Sequence, residues 1–296
     1  MADQASRSAG EGLERLCERQ GSGWICTSQP ARGLELLQAW FIGAPYVKHR
    51  HDTYTIGITD SGVQEFNFRG AVHRSTPGNA VVLHPDELHD GRAGTDQGFG
   101  YRTLYIEPRL IADALYAIGG RPAALPFLRE PITTNGRLIR AVETAFQFSQ
   151  IPLLIDTLSI ELAQGLQEAT TDGFYILSDR FDTRAIERAR EYLDAHARRI
   201  VHSSELEKVT GLSRYELARQ FKLKFGTSPY RYLLMRRLDF TRKQIDLGRS
   251  LVDLALEAGF ADQAHFTRMF KSAFGLTPGA YAKFKQGLRS QKPCYS

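Results

Sequence analysis

Cysteine is scarce in this chain. Cys17, Cys26 and Cys294 are the only three among 296 residues and form no CxxC pair. Neither a disulfide framework nor a cysteine-rich zinc site is therefore indicated, and a reducing cytosol is the expected compartment. Long hydrophobic runs are missing too. The N-terminal stretch MADQASRSAGEGLERLCERQ has no apolar h-region, and the most apolar later segment, IPLLIDTLSIELAQGL, is interrupted by Asp156 and Glu161. Neither an export signal nor a membrane-spanning helix is expected. Low-complexity tracts are absent.

What is present is divided along the chain. Residues 1–178 carry 15 Lys and Arg against 20 Asp and Glu, whereas residues 179–296 carry 23 against 13. The net charge of +5 thus combines an acidic first part, near −5, with a basic second part, near +10. A basic segment of this size attached to an acidic one points to a polyanionic partner for the second part alone, nucleic acid before membrane.

The periodicity changes with the charge. Residues 1–30 show no sustained pattern and are expected to be a tail. Between Gly33 and Glu107 the runs LELLQAWFI, YTIGIT, VQEFNF, NAVVLH and YRTLYIE alternate with turn signals such as DSG and TPGN, which predicts an antiparallel barrel or jelly roll over 31–108. RLIADALYAIGG, GRLIRAVETAFQFSQ and LLIDTLSIELAQGLQEA then repeat apolar residues every three or four positions. They predict amphipathic helices over 109–175, packed on the barrel or on a second subunit. Polar residues near 176–182 read as a linker, and everything beyond reads as helix.

The basic part contains an internal repeat. A shift of 49 positions aligns Arg219 with Arg268, Phe221 with Phe270, Lys222 with Lys271, Phe225 with Phe274, Gly226 with Gly275, Pro229 with Pro278 and Tyr232 with Tyr281. In each copy, Leu217, Phe221 and Phe225 or Phe266, Phe270 and Phe274 recur every fourth residue and so form one buried helix face. Gly226 and Gly275 are helix stops. Ser228-Pro229 and Thr277-Pro278 start the next helix with a cap and a first-turn proline. Short helices ending before Gly211 and Gly259 precede them. Each copy is therefore a helix-turn-helix, over about 203–225 and 250–274, joined by a helix over 228–247, within a unit spanning 183–288.

The faces opposite the phenylalanines carry Tyr215, Arg219 and Lys222 in the first copy and Gln263, His265, Thr267, Arg268 and Lys271 in the second. Arg, Gln and Thr suit base edges in a major groove, and the lysines suit phosphates. An ordinary solvated face is the alternative.

These motifs resemble the AraC/XylS family of bacterial transcription regulators over about 182–288, most closely in GFADQAHFTRMFKSAFGLTPGAYAK. The resemblance implies two helix-turn-helix modules, with recognition positions at Tyr215, Arg219, Gln263, His265, Thr267 and Arg268. The first copy departs from the pattern, with Glu207 standing where the second has Ala255 and Ser203 where it has Leu251.

The first half more weakly resembles the cupin-type sensor of this family, through Gly43, His49-Arg-His51, Gly62 and PGNAVVLHPDELH. Metal-binding cupins place a Glu after the second His, where this chain has Tyr54 and Thr55. His49, His51, Tyr54, Glu87 and His89 are the candidate ligand-binding residues. His49, His51 and His89 are also candidate metal ligands, although no cofactor is expected. Trp40, Tyr54, Phe66, Phe68, Tyr101 and Tyr105 line a pocket or fill a core.

The expectation is an α+β, two-domain protein: a cupin-like barrel with packed helices, then an all-α double helix-turn-helix. Its expected function is that of an effector-controlled, sequence-specific transcription regulator, with double-stranded DNA, a small-molecule effector and RNA polymerase as partners, a homodimer as the assembly, and no membrane. A metal-dependent cupin enzyme and a constitutive architectural DNA binder are the rival readings.

Overall fold

A computed structural model of the chain describes residues 23–42, 46–147, 154–170, 181–274 and 277–282. Among the described residues the first half forms ten strands, the last of them after a helix: β1 Gly23–Ala31, β2 Leu34–Phe41, β3 Tyr46–His49, β4 Tyr54–Gly62, β5 Gln64–Phe68, β6 Ala71–Ser75, β7 Ala80–Leu83, β8 His89–Ala93, β9 Phe99–Ile106 and β10 Ile132–Thr133. They pair antiparallel into a six-stranded sheet, β1-β2-β9-β4-β7-β10, and a four-stranded sheet, β3-β8-β5-β6.

The larger sheet is buried on both faces, and strand periodicity separates them. Leu34 and Leu36 on β2, Tyr54, Ile56 and Ile58 on β4, Ala80 and Val82 on β7, and Leu104 and Ile106 on β9 share one cluster with the helices α1 Pro108–Gly119, α2 Gly136–Gln147 and α3 Leu154–Ala169. The intervening residues face the smaller sheet. Leu37, Ala39, Phe41, Phe99, Tyr101 and Tyr105 cluster there, as do Val81 and Leu83 with Phe66 and Phe68.

Two sequence expectations change in this part. Residues 23–30, read as tail, belong to β1, which pairs along β2 from Gly23 opposite Phe41. Backbone hydrogen bonding to a neighbour defines this edge strand, whose sequence GWICTSQPA lacks an alternating pattern. Residues 132–133, placed in the helical segment, form β10 and pair with Val81 and Ala80 of β7. Residues 1–22, and all but the last two residues of the expected linker, lie outside the described residues.

The second half is helical: α4 Thr183–Ala195, α5 Ser203–Thr210, α6 Arg214–Phe225, α7 Pro229–Asp246, α8 Leu251–Glu257 and α9 Gln263–Phe274. Ile186, Ala189 and Leu193 of α4 pack with Leu206, Leu217, Phe221 and Phe225 around the first module. Leu234, Leu238 and Ile245 of α7 pack with Leu254, Phe260, Phe266, Phe270 and Phe274 around the second. α7 also places Leu233 in the first cluster and so supplies core to both modules, and at 18 residues it is about 27 Å long.

Candidate DNA interface and sensor sites

Each helix-turn-helix is built by local chemistry. Ser213 caps α6 by accepting from the Glu216 N–H at 3.3 Å, and Gly226 ends it with φ +72°. Ser228 then accepts from the Arg231 N–H at 3.2 Å, with Pro229 in the first turn of α7. In the second module Asp262 caps α9 through the His265 N–H at 2.6 Å, and Thr277 accepts from the Ala280 N–H at 3.2 Å. Gly275 lies outside the described residues.

The departure at Glu207 has a structural use. Its Oε1 accepts from the backbone N–H of Arg214 at 2.8 Å, so the carboxylate fastens α5 to the start of α6. Ala255, its counterpart, is fully buried in the second module's core. The two modules close their turns differently, one by a polar tie and one by close packing.

The phenylalanine faces are buried, with Phe221, Phe266 and Phe270 at 0% exposure. On the opposite faces Tyr215, Arg219, Lys222, Gln263, Arg268 and Lys271 are exposed, while His265 and Thr267 are half-buried. Tyr215 stands out at 75% exposure, with the Arg214 guanidinium 5.1 Å from its ring centre. Arg219 is engaged by Glu216, with Nη2 donating at 2.5 Å and Nε at 3.1 Å. Arg268 has no ion-pair partner among the described residues.

The five candidate ligand residues of the first half separate into two places. His49 and His89 are register partners on β3 and β8, and His51 follows two residues later. All three are buried, with His49 Nε2 3.1 Å from His51 Nε2 and one ligating nitrogen from each lying within 4.8 Å of the others. Burial holds the His51 and His89 imidazoles in the neutral form: it lowers His51 well below the usual histidine range and His89 to about 3. A cavity of about 30 Å³ beside them is lined by Thr55, Gln64, Phe66, Tyr101 and Thr103.

Tyr54 and Glu87 do not join this group. Tyr54 occupies the helix-facing phase of β4, one residue from the inward Thr55, and its hydroxyl donates to the Pro126 carbonyl at 2.8 Å. Glu87 pairs with Arg69, at 2.9 and 2.7 Å. Of the aromatic candidates, Phe66 and Tyr101 line the cavity, Tyr105 stands 5.0 Å from the His51 ring, Phe68 packs in core, and Trp40 is half-buried.

Tyr54 and Glu87 instead border a second cavity, of about 490 Å³, between the barrel and α6. Its walls include His84, Leu125, Pro126, Phe127 and Leu223, together with Arg219 and Lys222 from the exposed face of α6. His84 stacks on Phe127 with ring centres 4.8 Å apart, and its Nε2 accepts from the Leu128 N–H at 3.1 Å. Burial, reinforced by the Arg69 charge, lowers its pKa to about 3.

Polar ties run along the same seam. Asp86 accepts from Arg231 at 2.9 Å and from Thr227 at 3.2 Å, and Asp52 pairs with Arg236. The Leu125 N–H donates to the Leu223 carbonyl at 3.2 Å, and α6 packs against α1. Sequence reading missed His84, Asp52 and Asp86. For Asp86 a signal existed in HPDE, because Asp tolerates the left-handed backbone of a turn, and it adopts φ +63°.

A sheet-built sensor tied to paired helix-turn-helix modules with outward basic faces defines a ligand-binding, DNA-binding regulator. Comparison with known proteins agrees: the AraC-like ligand binding domain matches residues 33–158, and a helix-turn-helix domain matches 206–283. The transcriptional activator RhaS of Yersinia pestis (strain Pestoides F) is 25% identical over 265 residues, spanning 83% of this chain and 90% of RhaS. YbfI of Bacillus subtilis, an uncharacterized helix-turn-helix regulator, is 25% identical over 223 residues, 74% of this chain and 81% of YbfI. ToxT from Vibrio cholerae shares the fold, with TM-score 0.59 and 14% identity over 87% of this chain and 100% of that one. The chain belongs to the AraC family of transcription regulators.

Proposed function

We propose that the regulator reads DNA with Tyr215, Arg219 and Lys222 of the first module and with Gln263, His265, Thr267, Arg268 and Lys271 of the second. Arg268 and Gln263 are assigned to base edges, and Lys222 and Lys271 to phosphates. The regulator acts by binding and not by catalysis, in the cytoplasm and as a homodimer. α1 is occupied against α6, which leaves α2 and α3 as the dimer face. RNA polymerase is the expected downstream partner.

One observation carries the account of control: Arg219 and Lys222, assigned above to DNA, also border the 490 Å³ cavity. That volume is within the range of small-molecule sites, whereas the 30 Å³ beside the histidines holds little more than a water. Apolar walls with Arg219 and Lys222 at the rim, where the Asp86 and Glu87 carboxylates are already paired with Arg231 and Arg69, suit an organic acid with a hydrophobic body. ToxT, of the same fold, has been solved bound to an unsaturated fatty acid. An effector lodged there favours one placement of α6 over another, and this differential affinity is what couples it to DNA.

Thermal-shift screening of the full chain against apolar carboxylic acids tests the site, since a bound acid raises apparent stability by mass action. A stabilising acid whose effect disappears in Lys222→Ala and Phe127→Ala supports the assignment. Stabilisation unchanged in both variants places the effector elsewhere.

A further inference from the structure

We infer that His49, His51 and His89 form a binding site for a divalent late transition metal, zinc foremost, inside the sensor barrel. The tautomer of His89 is forced by its partner. Nδ1 lies 2.9 Å from the Glu87 carbonyl, which only accepts, so Nδ1 carries the proton and Nε2 presents a lone pair. That Nε2 is buried and has no hydrogen-bond partner among the described residues. A backbone carbonyl on the far ring nitrogen is the usual outer-shell support of a metal-bound histidine.

The geometry is close to what an ion needs. Zinc–nitrogen bonds of about 2.0–2.1 Å in a tetrahedron give nitrogen–nitrogen edges of about 3.3 Å. The His49–His51 edge is 3.1 Å and the three ligand nitrogens lie within 4.8 Å of one another, so an ion would have to draw the widest pair together. Three imidazole donors without a carboxylate or thiolate favour zinc, nickel, cobalt or copper over the oxygen-seeking magnesium, calcium and manganese. A fourth position would open onto the 30 Å³ cavity, where the Thr55 hydroxyl is buried without a hydrogen-bond partner among the described residues. The Tyr105 hydroxyl, whose ring stands against His51, is in the same condition. Both are available to a water or small anion held by the ion.

The site also spans the two segments that hold the DNA-binding half. His51 precedes Asp52, the partner of Arg236, and its carbonyl accepts from the Asp86 N–H at 2.6 Å. His89 follows Asp86 by three residues on the strand that returns to His49. An ion bound here cross-links 49–52 to 86–89 and stiffens the grip on α7. This consequence rests on the regulator reading, whereas the metal site itself does not.

The test uses the full chain, freed of metal with a chelator and titrated with zinc(II) and cobalt(II). One equivalent of zinc is expected to bind and raise the melting temperature, and cobalt is expected to show the visible bands of a tetrahedral nitrogen-ligated site. His51→Gln and His89→Gln should each weaken zinc by more than the ~10–100-fold that outer-shell changes cost. His196→Gln, in the other half, should leave it unchanged. Retention of stoichiometric zinc in the His51→Gln/His89→Gln double variant would overturn the proposal. So would a wild-type chain that takes up neither metal, or whose cobalt spectrum lacks those bands, and this arm stands even if the variants fail to fold. DNA selection by the same preparations is read separately, so the metal site and the regulator reading fail independently.

Discussion

Arg268 and Lys271 sit about one turn apart on the exposed face of α9, and the proposed reading gives them different work. Arg268→Ala should cost about 1–3 kcal/mol on the preferred sequence and relax preference at one base pair, while Lys271→Ala should weaken all sequences alike. Binding titrations across single-base variants of the site distinguish the two, and a uniform loss for Arg268→Ala would make it a phosphate contact. His84 yields a pH prediction. Its pKa falls from the ordinary 6.5 to about 3 on folding, so the unfolded chain binds more protons between those values. Its stabilising contribution is complete above pH 6.5 and declines by up to about 1.4 kcal/mol per pH unit below it. Unfolding measured at pH 7, 6 and 5 should show a shallower acid loss in His84→Gln than in the parent.

At the scale of elements, the phenylalanine stripe holds each module to α7. Phe270, fully buried among Phe266, Phe274 and Tyr281, leaves a cavity when cut back, and Phe270→Ala should cost about 3–5 kcal/mol. Calorimetry should show an early transition from the second module with the barrel transition retained. The helices were the legible part of the fold because their signals are local: period-four phenylalanines, Ser-Pro starts and stop glycines fall within single turns. β2, β4, β5, β7 and β9 were legible through their apolar runs. β3, β8 and β10 depend on partners distant in sequence, and HDGRA of β8 carries no strand pattern of its own; β1 and β6 are hairpin neighbours of β2 and β5, but GWICTSQPA and AVHRS lack the apolar alternation that marks a strand. The candidate ligand set split for a related reason. His49 and His51 share a face by adjacency, but the phase of β4 that turns Tyr54 toward the helices is set by its pairing with β9 and β7.

Across the whole molecule, the seam between barrel and helices joins sensing to reading. Gly226 meets Pro85 there so closely that an added Cβ would lie 3.0 Å from the proline ring, at a backbone φ of +72°. Gly226→Ala should therefore cost about 1 kcal/mol or more and loosen the seam. Arg231→Ala removes the ion pair from α7 to Asp86 and should reduce the ratio of DNA affinities with and without effector toward one, as read by titrations in both states. α7 is about 27 Å long, and the proposed reading has it set the two recognition helices into successive major grooves. Selection of binding sites from random duplex DNA by the full chain tests this most directly. The expected product is an enriched motif of two blocks centred about 10 base pairs apart, one of which loses definition in Arg268→Ala. Recovery of no enriched motif, with binding set by salt alone, would contradict it.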